Sequence, residues 1–251
     1  MASRLPRFDA RARPLFFIAC IVAATGIVMH GEALVTLVLP ANGFDLSIGN
    51  AVSLIGLELA AIALLASLEP TLRGMSGGMI LLGAAATLLM GPSGDAATGV
   101  ELAWQVRAHV LVALASYGLL SVGTIVAIFA LIQENRLQAA RISAVNQLFA
   151  PLETTEKLLF AVATAGFVGL TLAIVSGSTF VNDLLQQHLA HKFALSVLAW
   201  LVFGILLAGR FFRGWRGKQA VHLYLGGYFV LCLAYFGSRL ILEQVFGRSW
   251  G

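Results

Sequence analysis

A chain of 251 residues that is 59% hydrophobic and only 11% charged lies far from a soluble domain, which runs about 45–50% apolar and about 25% charged. Too few polar side chains are present to cover a water-facing globule, so a soluble enzyme, a disordered chain and a coiled coil are excluded, and lipid must serve as part of the solvent. The net charge of +4 comes from cations placed between apolar runs. It reads as a topology signal and not as a nucleic-acid footprint.

A membrane span needs about 20 apolar residues. Residues 1–13 make a basic tail carrying Arg4, Arg7, Arg11 and Arg13, and seven apolar stretches follow: 15–38, 50–68, 75–91, 108–132, 158–177, 192–212 and 220–243. The first is too long for a signal peptide, and no small-residue cleavage site closes it, so it is expected to remain as a helix. The third is short and rich in small residues (Gly74, Gly77, Gly78, Gly83), which suits tight packing against neighbouring helices. Between the fourth and fifth spans lies a connector, 133–157, in which Leu137, Ile142, Val145, Leu148 and Phe149 recur at helical spacing among polar residues. That pattern predicts an interfacial amphipathic helix, ended by Pro151, with Thr154 or Thr155 capping the fifth span. The expected fold is all-α, a polytopic transmembrane helix bundle of about seven spans, with a single bundle domain over 14–246.

Orientation follows from the cations. With the N-terminus in the cytoplasm, the inner segments hold Arg4, Arg7, Arg11, Arg13, Arg73, Arg136, Arg141, Lys157, Arg210, Arg213, Arg216 and Lys218, whereas the outer ends hold Arg107, Lys192, Arg239 and Arg248. The bias has the same sign at every loop, which predicts an N-in, C-out arrangement. Cys20 and Cys232 both lie in apolar runs without a CxxC pair, so each reads as a small hydrophobe and not as a redox group.

Titratable residues inside so apolar a chain carry the functional information. Under this topology His30, His109, His188 and His191 fall toward the outer half on three different helices, and only His222 lies at the inner surface. Arg107, Lys192 and Arg239 gather in the same outer region, against the general trend of the cations. Imidazoles beside cations at one membrane face suit haem, since imidazole supplies axial ligands and Arg or Lys pairs with propionates. The bland alternatives are interfacial histidines and snorkelling cations. The i, i+3 spacing of His188 and His191 also suits a chelated metal, but no carboxylate or Cys nearby in sequence completes a ligand set. Glu58, inside the second span, is a separate intramembrane candidate that fits a transport pathway. HExxH and GxxxxGK[ST] are absent and the Gly-rich stretches read as helix-packing glycines, so no enzymatic activity is expected, and nucleic acid is excluded as a partner.

Three stretches carry a family resemblance: AHVLVALASYGLLSVGTIVAIFALIQENRL (108–137), PLETTEKLLFAVATAGFVGLTLAIVSG (151–177), and 191–240, whose GRFFRGWRGK connector is followed by LAYFG. They resemble the cytochrome c assembly protein family, the CcsA/HemX-type membrane proteins, and most closely its short YpjD-type inner-membrane subgroup. The resemblance implies haem handling at the outer face of the bacterial inner membrane, in the company of cytochrome-maturation or other inner-membrane proteins. The family's external histidine matches His109 by position. Of its Asp-Pro-Lys turn only Lys192 carries over, within Ala190-His191-Lys192. The family's Trp-rich loop, of the form WGxxWxWD, corresponds here to SGSTFVNDLLQQHLAHK (176–192), which has no Trp. The second external histidine loop and its following helix are expected to be missing. The resemblance therefore implies a haem-binding accessory of cytochrome c biogenesis, using His30, His109 and His191, that does not itself present haem for ligation. The alternatives are a structural or regulatory subunit of another inner-membrane complex that binds no haem, and a small transporter using Glu58.

Overall fold

A computed structural model describes residues 12–38, 47–91, 104–138, 151–180 and 190–234. Runs of apolar, straight-chain and small residues fold into seven α-helices, and there is no strand among the described residues. The helices are α1 (Ala12–Val38), α2 (Ile48–Ala66), α3 (Arg73–Ala86, extended by a 3-10 turn Thr87–Leu89), α4 (Trp104–Gln138), α5 (Leu152–Phe180), α6 (Ala190–Arg213) and α7 (Gly217–Cys232). α1, α2, α4, α5 and α6 are long and apolar enough to cross a membrane, while Arg73–Leu89 is a shorter apolar helix. The protein is thus an all-helical, polytopic membrane protein. Many large apolar side chains are exposed, among them Phe17, Ile21, Val28, Leu81, Leu172 and Ile205, as a lipid-facing surface requires.

Two compact units divide the chain. The first holds Met1–Leu102 and Ile132–Lys157, and the second holds Ala103–Leu131 and Leu158–Gly251. In the first unit, α2 and α3 approach closely through small residues. A Cβ on Gly83 would stand 2.5 Å from the Gly56 carbonyl oxygen and 2.9 Å from the Ala60 Cβ, and one on Gly56 would run into Ala86. Gly83 therefore does what the sequence expects of the third span's glycines, whereas Gly78 faces open space. Ser47 caps α2 by accepting from the Asn50 N–H (3.1 Å), and the Asn50 side-chain oxygen accepts from the Gly91 N–H (3.2 Å), tying the far end of the α3 segment to the start of α2. At the other end of α2, Arg73 donates to the Ser67 carbonyl (3.2 Å) and lies 3.9 Å above the Phe16 ring.

In the second unit, α4 and α5 pack antiparallel along a seam of small residues. Gly166 faces Leu120, Gly169 faces Ser116 and Gly177 faces His109. α6 joins α5 where the Trp200 indole N–H donates to Thr171 Oγ1 (2.8 Å) and its ring stacks on Phe167. Thr171→Val should remove that bond and cost about 0.6 kcal/mol, with about 1.7 as the upper end for interhelical bonds in membranes. Reversible unfolding in mixed micelles measures it, and no change would show the indole to be satisfied elsewhere. The α6–α7 connector opens on an αL cap: the Gly214 N–H donates to the Arg210 carbonyl (3.1 Å), the Trp215 N–H donates to the Gly209 carbonyl (3.2 Å), and Gly214 has φ 66°. Only glycine takes that left-handed conformation without a Cβ penalty. α7 returns to α4 through Tyr224, whose hydroxyl donates to the Leu120 carbonyl (2.9 Å), and through Tyr228, whose hydroxyl meets Ser121 Oγ (2.6 Å).

Three sequence expectations change. α4 and α5 run past their apolar limits, to Trp104 and Gln138 and to Leu152 and Phe180, because helical hydrogen bonding continues beyond the hydrocarbon layer once polar ends reach water or headgroups. Neither Thr154 nor Thr155 caps α5. Both donate their N–H to the Pro151 carbonyl (2.9 and 3.2 Å), because proline's fixed φ and missing N–H suit the residue that opens a helix. Ser178 through Phe180, expected in the outer loop beyond the span 158–177, belong to α5. Residues 139–150 of the expected interfacial helix, and residues 235–243 of the seventh span, lie outside the described residues.

Candidate functional site

The candidate residues divide between the two units. His30 belongs to the first, on α1. It is buried, and its Nε2 lies 2.7 Å from Ser53 Oγ on α2, itself fully buried. The hydrogen bond joins two helices through the ring nitrogen that most often ligates iron, leaving only Nδ1 free. Glu58, also in the first unit, is half-buried on α2, and its Oε2 is shut off from solvent without a hydrogen-bond partner.

His109, Arg107 and Lys192 belong to the second unit. His109 stands in the second turn of α4, half-buried, with Nδ1 2.9 Å from Ser176 Oγ on α5. Gly177 gives the ring its seat, since a Cβ there would stand 3.0 Å from the His109 Cε1. The ring is therefore clamped on one edge. Two residues upstream, Arg107 is half-buried in the first turn of α4, and its Nε is enclosed without a hydrogen-bond partner. Burying a guanidinium nitrogen unpaired is costly, so the atom stands ready for an anionic acceptor.

α6 begins at the same end of this unit. Trp200 lies beside Thr171 and Phe167, and Gly204 beside Phe167. That antiparallel register brings His191 and Lys192, in the first turn of α6, level with the last turn of α5, the turn beyond Ser176. The side chain of His191 lies outside the described residues, as do His188 and Arg239. His222 is exposed on α7. So one end of the second unit gathers Arg107, His109, Ser176 and the start of α6. Among the described residues no group of three or more His, Cys, Asp or Glu is placed to hold a metal ion.

Two contributors escaped the sequence reading, Ser53 and Ser176. Serine in an apolar helix usually bonds to its own backbone, as Ser116 and Ser121 do here toward Val112 and Tyr117, so its type alone does not mark it as a partner.

Residues 18–246 match the family described as Cytochrome C assembly protein. The chain belongs to this family. It is 28% identical over 232 residues to the inner membrane protein YpjD of Escherichia coli K12, covering 90% of this chain and 87% of that one. It is 30% identical over 104 residues to the cytochrome c biogenesis protein CcsA of Prochlorococcus marinus, covering 41% of this chain and 33% of that one. No solved structure matches. The family match covers α2 to α7 entirely and α1 from residue 18 onward, so it reaches both units.

Proposed function

We propose that this protein is a haem-binding, haem-handling accessory of cytochrome c biogenesis in the bacterial inner membrane, without enzymatic activity of its own. One observation carries the reading: His109 is clamped at Nδ1 by Ser176, two residues from an enclosed and unpaired Arg107 Nε. Haem, when bound, supplies an iron that takes an imidazole nitrogen and two propionates that pair with cations. The residues present fit that group. His109 offers the ligand atom, Arg107 and Lys192 offer positive charge, and the apolar flanks of α4 and α5 exclude water. His191 is the next ligand candidate at that end. His30, whose Nε2 is engaged by Ser53, ties α1 to α2. Family membership and the similarity to a CcsA protein support the same reading.

The test is purification in detergent from cells supplied with haem. A Soret band is expected for the wild-type protein, reduced at least tenfold in His109→Ala and unchanged in His222→Ala. Wild-type protein that takes up no haem overturns the proposal. The enclosed Glu58 oxygen on α2 favours a second reading, a proton or cation pathway. A transport activity lost in Glu58→Gln but kept in His109→Ala would select it.

A further inference from the structure

The geometry points to Ser176 as a positioning residue that fixes which nitrogen of His109 carries the proton. The Ser176 hydroxyl lies 3.1 Å from the Ala173 carbonyl, to which it donates, and 2.9 Å from His109 Nδ1. A hydroxyl has one proton. Once that proton goes to Ala173, the oxygen has only lone pairs to offer, so His109 Nδ1 must be the donor. His109 is then the Nδ1–H tautomer, and its lone pair sits on Nε2. The nitrogen that ligates a metal is set by the hydrogen bond the other one makes. Metal-binding histidines almost always donate their second N–H to such an acceptor, and loss of the acceptor typically weakens metal affinity about 10- to 100-fold. Gly177 completes the device. With no Cβ beneath Cε1, the ring lies against α5 and reaches Ser176 without tilting.

As a tautomer assignment this stands on the hydrogen bonds alone; as a ligand-positioning role it rests on the haem reading above. The experiment separates the two. Full-length protein labelled with 15N-histidine, without haem, is examined in micelles at a pH where the ring is neutral. Nδ1 of His109 is expected to give the protonated-nitrogen shift and Nε2 the unprotonated one. Ser176→Ala should move the population toward Nε2–H, and Ser176→Thr, which keeps the hydroxyl, should restore Nδ1–H. With haem added, Ser176→Ala is expected to bind about 10- to 100-fold more weakly, with an altered iron–histidine vibration, and Ser176→Thr to recover both. A wild-type Nε2–H signature, or a tautomer that Ser176→Ala leaves unchanged, overturns the inference. The expected tautomer together with no haem uptake by the wild-type protein supports the inference and overturns the haem reading instead.

Discussion

Gly123→Ala should be the most damaging single-methyl change in the second unit. The ideal position of the new Cβ falls on the Tyr224 hydroxyl and 2.6 Å from its Cζ, and Tyr224 is completely buried. The buried Phe203 packs edge-to-face against the ring at a centroid distance of 5.2 Å. The tyrosine therefore cannot swing aside without disturbing α6, and α7 must separate from α4. Overpacking of this kind costs about 1–3 kcal/mol. The lost bond to the Leu120 carbonyl adds about 0.6, with about 1.7 as the upper end in membranes. The carbonyl itself is not orphaned, because Thr124 Oγ1 also donates to it (3.0 Å), so the steric part dominates. Tyr224→Phe should accordingly cost little, while Tyr224→Leu, which withdraws the ring tip, should relieve much of the Gly123→Ala penalty. Unfolding of the four proteins by SDS in mixed micelles gives the double-mutant cycle. Additive effects would mean that the two residues do not meet.

That contact shows where the sequence stops being readable. The existence of the long helices is written in the apolar runs, and the small residues of 75–91 announce close packing before any neighbour is known. The ends of α4 and α5 are not, because Arg107, Glu134 and Glu153 look like loop residues when only hydropathy is counted. A helix of 35 residues is about 52 Å long at 1.5 Å per residue, far beyond a hydrocarbon layer of about 30 Å, so its polar ends belong to the same rod. The candidate site was half legible. His109, Arg107 and Lys192 stand out as polar residues in lipid. Ser176 does not, since what makes it a partner is the register that sets Gly177 against His109 and Gly169 against Ser116. Register depends on side-chain fit between helices distant in sequence, and no local pattern encodes it. The same holds for Ser53, which turns His30 into a link between two helices.

Orientation yields the other large effect, since it predicts an all-or-none result. In full-length protein with Cys20 and Cys232 replaced, a single cysteine at Asn182→Cys should react with an impermeant maleimide added outside intact cells, and one at Gln219→Cys should not. The strength of this expectation lies in the α6–α7 connector. Some inner cations are also used structurally: Arg73 caps α2, and Arg210 donates to the Trp215 carbonyl (3.1 Å) and covers Phe160. Arg213 and Arg216 are exposed beside the exposed pair Phe211 and Phe212. An excess of Lys and Arg in a short connector marks the cytoplasmic side of a membrane. α6 carries Lys192 in its first turn and ends at Arg213, and the first two turns of α4, with His109, lie at the Lys192 end. Anchoring Arg213 and Arg216 inside therefore puts the His109–Ser176 pair at the outer face, on the side where the family resemblance implies that haem is handled. Labelling of Gln219→Cys from outside, with Asn182→Cys protected, would invert the second unit and place its histidine end in the cytoplasm.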